Sequence, residues 1–90
     1  LKPSHLGSDI NLGKLFAQNG KTEYAITHFR QALKIDPQIY QIHLELGIIY
    51  WNLRNNVNKA RDHFKKALYL VNDPKQKILI TQFLNQVSSN

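Results

Sequence analysis

The side chains best suited to catalysis or metal binding in this sequence are its four histidines, His5, His28, His43 and His63. His28 and His63 occupy corresponding positions in the two halves of the chain, so their imidazoles can lie on neighbouring helices. Protein zinc sites combine several imidazoles, thiolates or carboxylates, whereas this chain has no cysteine and no His-Glu-x-x-His spacing. The sequence therefore predicts no metal centre. Because a glycine-rich phosphate loop is also absent, it predicts no cofactor.

The six acidic residues have positions typical of structural roles rather than of an acid–base pair. Asp36 and Asp73 each precede a proline, where a carboxylate can cap a helix. Asp62 lies four residues before Lys66, which is the spacing of an ion pair on a helix surface. Of the other three, Glu23 is a charge in the first turn of a helix, and Asp9 and Glu45 are expected to face a groove. Since no catalytic pair is found, the sequence predicts that the chain is not an enzyme.

The length and composition fit one small domain. The chain has 90 residues, of which 42% are hydrophobic and 20% charged, and no apolar run approaches the roughly 18–20 residues of a membrane span. It has no apolar signal segment and no cysteine, which together favour a cytoplasmic location. Because it does not begin with methionine, we expect it to be an excised or processed piece of a longer chain.

The two halves of the chain repeat one another at a period of 34 to 35 residues. Residues 3–33 align with residues 37–68 when one extra residue is allowed near Asn55 and Asn56. The eight identities are Pro3/Pro37, Leu12/Leu46, Gly13/Gly47, Ala25/Ala60, His28/His63, Phe29/Phe64, Ala32/Ala67 and Leu33/Leu68. A repeat of this length is typical of stacked helical hairpins.

Each repeat has the pattern of two helices joined by a turn, and a fifth helix follows the second repeat. The predicted loops lie near 20–22, 35–37, 54–56 and 72–74. Thr22 is placed to cap the second helix. Gly13 and Gly47 lie within helices, where glycine costs about 1 kcal/mol relative to alanine, so we expect a neighbouring helix to approach them closely. Phe29 and Phe64 are the expected anchors of the core.

These motifs resemble the tetratricopeptide repeat. The resemblance rests on three features of each repeat: a Leu-Gly-x-x-aromatic run, an Ala-x-x-x-Phe-x-x-Ala run and a closing proline. The matching residues are Leu12, Gly13, Phe16, Ala25, Phe29, Ala32 and Pro37, then Leu46, Gly47, Tyr50, Ala60, Phe64, Ala67 and Pro74. Asp9 and His43 depart from the pattern, since they stand where the family has an early tryptophan.

The resemblance implies an all-α fold, a right-handed superhelical stack of antiparallel helix hairpins with about five helices. Repeat one is expected at about 6–39, repeat two at about 40–74, and a capping helix at about 75–88. Leu84 replaces the glycine that a third repeat would have, which favours a capping helix.

The resemblance also implies a protein–protein interaction scaffold that binds a peptide or helix in a concave groove lined by the first helix of each repeat. In repeat two, Leu44, Ile48 and Trp51 recur at spacings of four and three residues, and so form an apolar stripe beside the inward face. The predicted groove residues are Ile10, Asn11, Lys14, Gln41, Leu44, Glu45, Ile48, Trp51 and Asn52. The alternative is that the last helix covers the stripe with Ile78 or Phe83.

Positive charge marks a second candidate surface, for nucleic acid or an acidic partner. The net charge is +6, of which residues 46–90 contribute +5 through seven Lys/Arg and two Asp/Glu. The cations of repeat two are Arg54, Lys59, Arg61, Lys65 and Lys66. Lys59 and Lys66 fall on one flank of their helix and Arg61 and Lys65 on another, with Asp62 among them. This arrangement argues against nucleic acid.

One class of protein partner is disfavoured by the resemblance. Family members that hold the acidic C-terminal tails of heat-shock chaperones use a clamp of lysine, asparagine and further cations. The corresponding positions here hold Ile10, Lys14, Glu45, Ile78 and Gln82, none of which matches. We therefore expect a different protein or peptide partner, and the open repeat ends also allow self-association.

Overall fold

Five helices make up the described part of the chain. The computed structural model describes residues 6–52 and 56–88, and no strand occurs in those two stretches. The helices are α1 (Leu6–Gln18), α2 (Thr22–Ile35), α3 (Tyr40–Asn52), α4 (Val57–Leu70) and α5 (Pro74–Ser88). The all-α prediction is confirmed. Of the turn predicted at 54–56, residues 54 and 55 lie outside the described residues.

The turn between α1 and α2 corrects one sequence prediction. Gly20 has a φ of 77°, in the left-handed region that glycine adopts without strain. The N-cap of α2 is Lys21 rather than Thr22, and no side chain caps this helix end. The prediction for Thr22 is wrong because the Lys21 carbonyl already accepts the helical hydrogen bond from the Ala25 N–H, at 3.1 Å, which places Thr22 inside the first turn.

Two aspartates close the loops that follow α2 and α4. Asp73 Oδ1 accepts a hydrogen bond from the backbone N–H of Lys75 at 3.0 Å, so Asp73 caps α5 as predicted. Asp36 Oδ1 accepts a similar bond from Gln38 at 3.0 Å. Because α3 begins only at Tyr40, Asp36 stabilises a turn after α2 and does not cap α3.

The chain divides into two compact units, Leu1–Gln38 and Ile39–Asn90. In the first unit α1 packs against α2, and the three-residue turn between them makes the pair an antiparallel hairpin. Phe29 of α2 is fully buried, and its ring lies directly against Gly13 of α1. The expected close approach at Gly13 is therefore confirmed.

In the second unit α3 packs against α4, and α4 packs against α5. The fully buried ring of Phe64 lies against Gly47, which repeats the arrangement of the first unit. From α5, Ile80 and Val87 add two fully buried side chains. Both phenylalanines are thus core anchors, as predicted.

Replacing Gly13 with alanine is expected to destabilise the chain, although alanine favours helices more than glycine does. A Cβ atom at this position would lie 2.6 Å from Phe29 Cε1 and 2.8 Å from Phe29 Cδ1. Overpacking of a core costs about 1–3 kcal/mol, whereas the gain in helix propensity is about 1 kcal/mol. We therefore expect a lower melting temperature in thermal denaturation followed by circular dichroism.

Gly7→Ala is the matched control, because it lies on the same helix and a Cβ atom there has no neighbour within 4 Å. Its melting temperature is expected to equal or exceed that of the wild type. If both variants shifted the melting temperature equally, α2 would not approach α1 as closely as the structure places it.

Candidate functional site

An apolar stripe on one face of α3, formed by Leu44, Ile48 and Trp51, is the candidate binding site. These residues share a face because they stand at positions i, i+4 and i+7 of a helix. Each is partly exposed, so the α3 stripe is neither core nor fully solvated. The polar residues beside it are Gln41 and Asn52, which are exposed, and Glu45, which is partly buried.

Aromatic rings from the neighbouring helices hold Trp51 in place. Its ring meets Phe64 of α4 and Phe83 of α5 edge-on, with centroid distances of 6.3 and 6.1 Å. Phe64 and Phe83 stack on each other at 5.3 Å with an interplanar angle of 7°. Of the two α5 residues considered as covers for the stripe, Phe83 reaches Trp51, whereas Ile78 is 62% exposed. The indole is therefore anchored on one side and still partly accessible to solvent.

The other predicted groove residues lie on α1, in the first unit. Asn11 and Lys14 are exposed and Ile10 is partly buried. Their spacing places them on one side of α1. The predicted residues thus form two sets, one on α1 and one on α3.

Asp9, predicted to face a groove, is instead 8% exposed and hydrogen-bonded to the second helix of its hairpin. His28 Nδ1 of α2 donates to Asp9 Oδ1 across 3.0 Å. The prediction for Asp9 is wrong because a buried carboxylate needs a partner, and the facing histidine supplies one.

A second polar pair occupies the corresponding place in the second unit. His43 is 5% exposed, and its Nδ1 lies 3.2 Å from His63 Nδ1, so that one ring nitrogen donates and the other accepts. The ring of His63 also stacks on Tyr50 at 5.6 Å with an interplanar angle of 6°. At Asp9 and His43, where the tetratricopeptide-repeat pattern has a tryptophan, the chain therefore has a partly buried hydrogen bond to the second helix of the hairpin.

The repeat alignment carries a signal for these two pairs. Asp9 aligns with His43 and His28 aligns with His63, so each repeat carries two polar residues at the same two positions. Polar residues that recur together on two packed helices predict a contact between them, because either residue alone would be costly to bury.

The cations of repeat two have several different surroundings. Lys59 Nζ lies 5.2 Å from the centroid of the Tyr50 ring, and Arg61 Nη1 donates to Asn58 Oδ1 at 3.4 Å. Lys65 and Lys66 are exposed on α4. Arg54 lies outside the described residues. The expected ion pair between Asp62 and Lys66 is not formed.

Within residues 6–52 and 56–88, no three histidine or acidic side chains converge in a way that could hold a metal ion. None of the helices in those stretches combines the length and the apolar character needed to cross a lipid bilayer.

Comparison with known proteins agrees with the repeated hairpins. A family model described as TPR repeat matches residues 13–54. The chain is also 36% identical over 61 residues to the anaphase-promoting complex subunit CDC16 of Saccharomyces cerevisiae. That alignment covers 68% of this chain and 7% of the yeast protein. Taken with the five helices and the two glycine–phenylalanine contacts, these matches show that the chain belongs to the tetratricopeptide-repeat family.

Proposed function

We propose that the chain is a protein-interaction scaffold in which the α3 stripe binds a peptide or a helical segment of another protein. The observation that carries the proposal is the position of Trp51, which is partly exposed and fixed by two aromatic contacts. A rigid aromatic side chain loses little conformational entropy on binding, and such residues are frequent energetic anchors of interfaces.

The surroundings of the stripe support this proposal. Leu44 and Ile48 extend the apolar surface for two turns of helix, and the exposed amides of Gln41 and Asn52 can hydrogen-bond to the backbone of a bound segment. An apolar centre with a polar rim is the usual anatomy of a protein interface.

The relative in yeast is by its name a subunit of a complex. By analogy, we propose that this chain acts inside a larger protein or assembly and has a binding rather than a catalytic role.

Selection of a displayed random-peptide library against the chain tests the proposed site. A selected peptide is titrated into isotope-labelled protein, and the amide chemical shifts are followed by NMR. We expect the largest changes along α3, at and around Leu44, Ile48 and Trp51. Changes confined to other helices, with α3 unaffected, would contradict the proposal.

A further inference from the structure

An open pocket of about 510 Å³ lies between α3 and α4 of the second unit. None of its described lining residues belongs to the α3 stripe. We call it the α3–α4 pocket. Its described lining residues are His43 of α3 and Asp62, His63, Lys65, Lys66 and Tyr69 of α4. The volume is in the range of known ligand-binding clefts, about 300–1,000 Å³.

The α4 side of the pocket carries more positive than negative charge. Asp62, Lys65, Lys66 and Tyr69 stand at positions i, i+3, i+4 and i+7, so they share one face of α4. Neither lysine forms an ion pair with an acidic side chain in the described part of the chain. Both ammonium groups are therefore free to bind an external anion, and of the described lining residues only Asp62 opposes them.

The wall of the pocket is more apolar than polar, and contacts between its two helices hold it in shape. The 3.2 Å contact between the Nδ1 atoms of His43 and His63 joins its two helices, and Tyr50 stacks on the His63 ring. Tyr69, which is 88% exposed, provides an aromatic surface at the same site.

We propose that the α3–α4 pocket binds acidic side chains of a partner protein, as a second interaction surface that does not depend on the α3 stripe. The match is one of charge: two lysines that form no ion pair within the described residues line an open concave site of about 510 Å³. A carboxylate there would form charge-assisted hydrogen bonds with Lys65 and Lys66.

A nucleic-acid strand fits this surface less well. Binding to a phosphate backbone needs a row of available cations. Here Lys59 lies over the ring of Tyr50, and Arg61 donates a hydrogen bond to Asn58. Asp62 lines the same pocket as Lys65 and Lys66. The available positive charges, Lys65 and Lys66, are thus grouped at one site and are not arranged in a row along the surface.

The test measures binding of a short fluorescein-labelled peptide of alternating glutamate and leucine by fluorescence anisotropy at about 0.15 M salt, where the Debye length is about 8 Å. The double variant Lys65→Gln/Lys66→Gln is expected to weaken binding at least about tenfold. The matched control is Lys75→Gln/Lys77→Gln, which removes the same charge from two exposed lysines on α5. We expect the control to weaken binding less than about threefold, because distant exposed charges are screened.

Two results would overturn the proposal. Equal losses in the two double variants would mean that the peptide responds to net charge and not to the pocket. Tighter binding of single-stranded oligouridylate than of the peptide, with the same loss in both variants, would assign the surface to nucleic acid. Since all four lysines are exposed, circular dichroism should confirm that each variant remains folded.

Discussion

Replacing Phe64 with alanine is expected to lower the free energy of unfolding by about 3–5 kcal/mol, the usual cost for a buried phenylalanine. The side chain is fully buried, lies against Gly47, and contacts the rings of Trp51 and Phe83. Its removal leaves a cavity lined by all three helices of the second unit. Since a domain of this size has about 5–10 kcal/mol of stability in total, the melting temperature should fall by at least about 10 °C.

The matched control for Phe64→Ala is Tyr69→Ala, which removes an aromatic ring from the same helix where it is 88% exposed. Urea denaturation of this variant should give a free energy within about 0.5 kcal/mol of the wild type. If Phe64→Ala behaved like this control, Phe64 would face solvent and the repeat alignment would be wrong.

Replacing Trp51 with alanine is expected to weaken binding of a library-selected peptide at least about thirtyfold. Loss of an aromatic anchor typically costs about 2 kcal/mol or more of binding free energy, which corresponds to that ratio. The effect should come mainly from faster dissociation, because mutations within an interface change the association rate less.

The structure adds a consequence for stability that the sequence alone does not predict. From the sequence, Trp51→Ala should leave the helical signal nearly intact. Because Trp51 also meets Phe64 and Phe83 edge-on, we now expect the variant to lose some stability as well. Binding must therefore be measured well below the melting temperature of the variant, with circular dichroism as a check that it is folded.

The hairpins are predictable from the sequence because the repeat supplies each contact twice. Glycine within a helix is unfavourable unless a neighbouring side chain must pack against the backbone, and the Phe29 ring does so at Gly13. Burial of individual residues is less predictable. Leu12 and Leu46 have the same place in the alignment, yet they are 38% and 1% exposed. Burial depends on which helices surround a residue, and this information is not contained in the pattern of its own helix.

The α3 stripe is predictable for the same reason as the hairpins, since a spacing of four and three residues defines a helix face. The sequence leaves open whether Ile78 or Phe83 contacts the stripe, because side-chain packing sets the rotation of α5 about its own axis. The pairing of Asp9 with His28 was also missed. Each residue alone is typical of a solvated surface, and only the contact between two helices makes their burial acceptable.

The comparison of Trp51→Ala with Ile78→Ala tests the proposed binding site most directly. Both variants remove an apolar side chain from the second unit, but Ile78 is 62% exposed on α5 and is not part of the α3 stripe. The dissociation constant of the same selected peptide is measured for each folded variant by isothermal titration calorimetry. We predict that the constant for Trp51→Ala is at least about thirty times that for Ile78→Ala. A ratio near one, with Trp51→Ala reduced only in stability, would contradict the account and assign Trp51 to the core alone.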